Sequence, residues 1–244
     1  MRSYGMTDIG KIRNVNQDYL FYSDQKVGYF PNLYIVADGM GGHKAGDKAS
    51  SYAVTRFVEL LKKEKTDIPF LTMGKLIRQV NEEIFRISTT QEQYEGMGTT
   101  FVAAAVFGNC AYVMNIGDSR LYHTDGSKFR QVTMDHSLVE ELVRAGELKR
   151  EESRYHPQKN IITRALGVSD TVEPDYFMVE MTLGDKILLC SDGLSNMVED
   201  DRLFEILSGD DDLEDQVKKC VEEAIFFGGH DNIAAVIARY EDGR

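Results

Sequence analysis

Leu33-Tyr34-Ile35-Val36-Ala37-Asp38-Gly39-Met40-Gly41-Gly42-His43 reads as a buried β-strand that stops on a carboxylate and turns at once on glycine. Such a turn leaves one carboxylate at a sheet edge with main chain exposed beside it. Glycine there allows positive φ and close approach of the backbone to a ligand. Hard cations such as Mg²⁺ and Mn²⁺ take this kind of oxygen donor. A strand-to-helix turn that merely needs glycines explains this stretch equally well. Repetition favours the metal reading. Asp118 in Gly117-Asp118-Ser119-Arg120 and Asp192 in Ser191-Asp192-Gly193 also follow apolar runs, and Asp231 in His230-Asp231-Asn232 precedes one.

Outward from that strand the chain alternates blocks of strands and helices. Residues 2–7 and 19–22 suit short strands on either side of a polar loop that carries Arg13 and Asp18. Ala49, Tyr52, Ala53, Phe57 and Leu60 share one face of a helix over 45–62, and Leu76, Val80, Ile84 and Ile87 one face of a helix over 72–88. Residues 101–107 and 110–116 are apolar runs joined by Gly108-Asn109, a hairpin signal. Asp125-Gly126 turns the chain again between 121–123 and 129–132. Consecutive hairpins give antiparallel sheets and exclude a doubly wound nucleotide fold. Strands at 176–181 and 186–190, helices at 199–207 and 213–227 and a strand at 232–240 complete the pattern. It predicts an α/β (α+β) fold, a four-layer sandwich of two antiparallel sheets flanked by helix pairs. Residues 134–174 lose strand pattern apart from one helix at 137–145, so they are expected to form a surface insert or lid. One domain is expected over 1–244.

The formal net charge of -12 argues against a nucleic-acid partner, whose phosphates call for basic residues. Cys110, Cys190 and Cys220 are far apart without metal-site spacing, which implies a reducing compartment, neither disulfides nor zinc. The start of the chain lacks the apolar core of a signal peptide, and no run reaches transmembrane length, so no membrane insertion and a cytoplasmic location are expected.

Clustered carboxylates without counter-ions repel one another, and divalent metal removes that cost. An all-oxygen set selects Mg²⁺ or Mn²⁺ over zinc. Arg13 is the natural grip for a phosphate, because a guanidinium fork matches it bidentately. His43 stands five residues after Asp38, and His230 adjoins Asp231. No Gly-Lys-Ser/Thr follows the glycines, so a nucleotide P-loop fails.

Arg13-x-x-Asn16-Gln17-Asp18, Asp38-Gly39-Met40-Gly41-Gly42-His43, Gly98-Thr99-Thr100, Gly117-Asp118-Ser119-Arg120, Ser191-Asp192-Gly193 and His230-Asp231-Asn232 occur in an order that resembles the metal-dependent protein phosphatases (PPM, the type 2C Ser/Thr phosphatases). The compact bacterial branch is most similar. Asp135-His136-Ser137, His156-Pro157 and Arg164-Ala165-Leu166-Gly167 resemble its flap, here at about 134–174.

The resemblance implies two core Mn²⁺ or Mg²⁺ ions and a weaker third. Asp38 would bridge the core pair, the Gly39 carbonyl would bind one ion, and Asp192 and Asp231 the other. Asp18 would act through metal-bound water, Asp118 would serve the third ion, and Arg13 would hold the phosphate. The implied reaction is hydrolysis of phosphoserine or phosphothreonine by a metal-bridging hydroxide. The implied partners are phosphorylated proteins, a Ser/Thr kinase among them, met by a monomer. Gln17 stands where many relatives carry Glu, and Asn196 where the eukaryotic branch carries an Asp near the third metal. Met40 replaces that branch's proposed general acid, which leaves His43 or water beside Asp118 to protonate the leaving group. A small-molecule phosphoesterase would share these carboxylates. A non-catalytic phosphoprotein binder would normally lack one of them.

Overall fold

The computed structural model describes residues 1–41 and 45–241. The chain opens with β1 (Arg2–Asp8), β2 (Asp18–Ser23) and β3 (Leu33–Met40). Two long helices follow, α1 (Ala45–Lys63) and α2 (Pro69–Thr90), the second begun by a proline whose fixed φ suits a first turn. Next come β4 (Gly98–Thr99), β5 (Phe101–Phe107), β6 (Cys110–Ile116), β7 (Arg120–Thr124) and β8 (Phe129–Gln131). Short helices α3 (Leu138–Ala145) and α4 (Arg150–Ser153) precede β9 (Asp175–Glu180) and β10 (Lys186–Cys190). The chain closes with α5 (Asp192–Ser195), α6 (Asp200–Ser208), α7 (Leu213–Phe226) and β11 (Ile233–Arg239). Helix starts fall within three residues of the periodicity-based ones, and side-chain caps fix two of them. Ser137 and Asp212 stay extended while their side chains accept from the N–H groups of Glu140 and Asp215.

One sheet runs β1-β11-β10-β7-β8 and the other β2-β3-β5-β6-β9, with β4 joined to β3. The ladders within them are antiparallel. Tyr34 and Val36 of β3 pack toward the first sheet, against a layer that includes Leu121, Leu189 and Val236. Leu33, Ile35 and Ala37 alternate to the opposite face and meet Phe57, Ile77 and Val80 of the helices. Both faces of β3 are therefore covered, which is why its sequence is continuously apolar rather than alternating. On the far side, Leu188, Cys190 and Ile237 pack against Leu203, Val217 and Val221 of α6 and α7. The four-layer sandwich is as expected, with helices outside and the deepest core between the sheets. No described helix is long and apolar enough to cross a membrane. All three cysteines are free.

The segment at 134–174 departs from a simple surface insert. Leu166 is fully buried in the helix-side core and exchanges backbone bonds of 3.1 and 2.9 Å with Thr99. Asn81 accepts from Gly167 N at 2.8 Å and donates to the carbonyls of Ser169 and Asp170. A single buried leucine has no periodicity to announce it, so the anchor is invisible to pattern reading. Only the part around α3 and α4 projects.

Gly167 has φ +82°, and a Cβ there would lie 2.3 Å from Ile84 Cγ2. Gly167→Ala should therefore cost about 1–3 kcal/mol of stability through strain and overpacking. A urea melt checks this, and an unchanged midpoint would mean that the anchor does not bear on the core.

Candidate active site

Register brings the carboxylates together. In the β10–β11 ladder Cys190 opposes Ala235, so Asp192, just past one strand, lies beside Asp231, just before the other. In the β2–β3 ladder Asp18 sits directly opposite Asp38. Asp118 arrives on the turn between β6 and β7. A cleft of about 420 Å³ is lined by Arg13, Asp38, Gly39, Asp118, Asp192 and Asp231. Asp18 is buried behind Asp38 rather than in the wall.

Removal from water pushes Asp38, Asp118 and Asp192 above the usual carboxylate range, and neighbouring carboxylates push them further. Asp18 is pushed up to about 8, chiefly by burial and then by Asp192 and Asp231, against the opposing hydrogen bond from Ser191.

Neutral groups hold the main chain or a carboxylate oxygen at several of these aspartates. Ser191 Oγ donates to Asp18 Oδ2 at 2.6 Å and accepts from Ala234 N at 2.9 Å, tying β2 to the β10–β11 pair. Asp38 N donates to Thr100 Oγ1 at 2.8 Å, and Asp38 O accepts from Thr100 N and Thr99 Oγ1, both at 2.9 Å. Gly39 N donates to Gln17 O at 3.0 Å, and a Cβ on Gly39 would lie 2.1 Å from Gly46 O. The close approach of β3 to α1 thus demands glycine, and Gly39 lines the cleft. Asn196 Nδ2 donates to Asp192 Oδ2 at 2.9 Å, so this residue orients the neighbouring carboxylate. Asn232 accepts from Gln17 N and donates to the carbonyls of Ile9 and Val15, which fixes the loop carrying Arg13.

His136 was expected only as part of the insert; it stands behind Asp118. Its Nδ1 accepts from Gly117 N and its own N–H donates to Gly117 O, each at 3.0 Å. Its Nε2 lies 3.2 Å from Asp175 Oδ2, and Arg164 holds Asp175 at 2.7 Å. Thr99, Thr100, Ser191, Asn232 and His136 are supports that the sequence reading quoted within motifs without assigning them a role. Arg13 Nη2 donates to Asp231 Oδ2 at 2.7 Å with its side chain half exposed, so its guanidinium lies at the cleft mouth. His43 lies outside the described residues.

The donor set fits oxygen-seeking divalent cations. Asp18, Asp118 and Asp192 each keep a buried Oδ1 without a hydrogen-bond partner, and the mutual repulsion of the carboxylates disappears once positive charge enters. Among the described residues no three acidic, histidine or cysteine side chains close into a ready-made cage. A cleft of separated carboxylates and a carbonyl suits ions that retain several waters, as Mg²⁺ does.

The protein phosphatase 2C family model matches residues 12–219. This chain belongs to the protein phosphatase 2C family. It is 42% identical to the serine/threonine phosphatase stp of Listeria monocytogenes over 95% of this chain and 92% of that protein. The crystal structure of the serine/threonine phosphatase Stp1 from Staphylococcus aureus superposes with a TM-score of 0.91 at 32% identity, covering 98% of this chain and 94% of that one. The catalytic domain of the phosphatase PstP, solved with two manganese ions, has a TM-score of 0.87 at 33% identity and covers 99% of this chain and 98% of that one. The type 2C fold thus places the aspartate cleft at the edge where both sheets end.

Carboxylates whose pKa is raised on folding bind more protons folded than unfolded, so stability falls as pH rises from the ordinary carboxylate range toward about 8, the value for Asp18. Chelator-treated protein should therefore melt at a lower temperature at pH 8 than at pH 5.5. Added Mn²⁺ should raise the pH 8 value most. Calorimetry in matched buffers measures both, and a metal-free protein more stable at pH 8 would contradict the repulsion argument.

Proposed function

We propose that this cleft hydrolyses phosphoserine and phosphothreonine in proteins with divalent metal, and the observation that carries the reading is the convergence of five aspartates where the two sheets end. The chain is a metal-dependent serine/threonine protein phosphatase. Asp38, the Gly39 carbonyl, Asp192 and Asp231 hold two core cations, Mn²⁺ or Mg²⁺, and Asp118 serves a weaker third. Bound there, such cations supply Lewis-acid charge at the phosphoryl oxygens and lower the pKa of water.

The chain's own groups do the rest. Arg13 sits at the mouth, where its guanidinium is free to turn from Asp231 to a phosphate dianion once Asp231 has a cation. Asp18, buried opposite Asp38 and held by Ser191, would act through metal-bound water. Met40 has no proton to give a leaving alkoxide; water on the Asp118 side of the cleft is our candidate for that role, with His43, three residues on in the sequence, as the alternative. The part of 134–174 that projects serves as a flap over one catalytic domain spanning 1–244. Its partners are phosphorylated proteins, including a Ser/Thr kinase that it opposes, and it works as a cytoplasmic monomer.

Asp38→Asn and Asp192→Asn should each lower kcat on a phosphopeptide on the order of 10³-fold or more, because each removes charge that holds the cations. Near wild-type turnover in both, or full activity in excess chelator, would sink the assignment.

Arg13→Ala should raise KM for the same peptide by the equivalent of roughly 1.5–3 kcal/mol. Mn²⁺ affinity should hold or rise, since Asp231 loses a competing cation. A collapse of Mn²⁺ binding in titration calorimetry would make Arg13 structural instead.

A further inference from the structure

A second cavity of about 560 Å³ lies beside the cleft, bounded by the α3–α4 segment on one side and by α5 and the start of α6 on the other, and it shares Asp118 and Asp192 with the cleft. Asn196, which orients Asp192, lines the cavity too, and the phosphatase reading gives the acidic residues of its other walls no role. Most of its cations are already neutralised. Arg120 is held by Asp135 at 2.7 Å, Arg150 by Glu140 at 2.8 Å and Arg154 by Glu199 at 3.1 Å. Among the described residues Glu151, Asp200 and Asp201 make no ion pair, although Asp200 accepts from the Tyr122 hydroxyl at 3.2 Å; against these three acids stand the Lys159 ammonium and the Arg154 Nη2, which has no hydrogen-bond partner. Asp200 and Asp201 occupy the first turn of α6. A further group lacks a partner. Ser195, only 2% exposed, lines the same cavity, and its Oγ makes no hydrogen bond. Tyr155, 79% exposed on the same wall, offers an aromatic face.

We propose that this cavity is a specificity subsite for a basic side chain, Lys or Arg, of the phosphorylated protein, a few residues from the phosphoserine or phosphothreonine. A peptide with its phosphate at Arg13 and the aspartates has the cavity within reach, since an extended chain spans about 3.3–3.6 Å per residue. A guanidinium there meets carboxylates at the rim, a buried hydroxyl that lacks a partner and a ring suited to cation–π contact. The proposal rests on the phosphatase reading and adds the substrate's charge pattern to it.

The test is a phosphopeptide series assayed with the full chain in Mn²⁺, with arginine or norleucine at each position from four before to four after the phosphoserine. An aryl phosphate runs alongside. We expect arginine to raise kcat/KM roughly ten-fold or more at one or two adjacent positions, and not elsewhere. Glu151→Gln combined with Asp201→Asn should cut that arginine-to-norleucine ratio several-fold, a comparison made within one variant and so independent of its overall turnover. The wild-type series decides even if the double variant fails to fold. No preference at any position, or an equal preference at every position, overturns the subsite, as does a ratio untouched in the folded variant. Loss of aryl phosphate and peptide turnover alike in the wild type would instead overturn the phosphatase reading beneath it.

Discussion

Mutual repulsion among buried carboxylates is the constraint on which the rest of the structure depends. Asp38 feels Asp18, Asp192, Asp118 and Asp231 at once, in surroundings that hold little water. Left alone, that arrangement opposes folding, because each ionised neighbour makes the next ionisation costlier. The fold tolerates it by fixing the backbone on either side of the aspartates with neutral groups. Thr99 and Thr100 hold the Asp38 main chain, Ser191 and Asn196 hold carboxylate oxygens, and His136 holds Gly117 next to Asp118. Repulsion is thus stored rather than relaxed, and metal binding releases it.

The scaffold is suited to storing it. β3 is covered by a sheet on one face and by helices on the other, so its end cannot swing to bring Asp38 into water. β10 and β11 are central neighbours in the other sheet, packed against α6 and α7. Burial of these strands offsets the electrostatic cost at their ends. Rigid elements also keep the cleft's geometry tighter than loops would.

The 134–174 segment joins the two roles. One end is core, with Leu166 and Val172 packed under α2. The other end carries α3 and α4 out beside the cleft, where their ion pairs line the second cavity. The aspartates are housed at the ends of the sheets, and the wall beside them comes from a different stretch of the chain.

The sequence alone determined the order of elements, the hairpins, the two apolar helix faces and the four strand-end aspartates, because each is a local pattern of period or turn chemistry. The expected four-layer sandwich follows from those patterns, and family resemblance supplied the phosphatase activity. Tertiary structure alone decided what depends on contacts between distant residues. Ser191 reaches Asp18 across 173 positions of sequence, and Asp18 faces Asp38 only through strand register. Leu166 is core although its neighbours are polar or small, and His136 supports Asp118 from a stretch with no strand pattern. A lone serine, leucine or histidine has no period to read; its role is set by which surface folding brings against it.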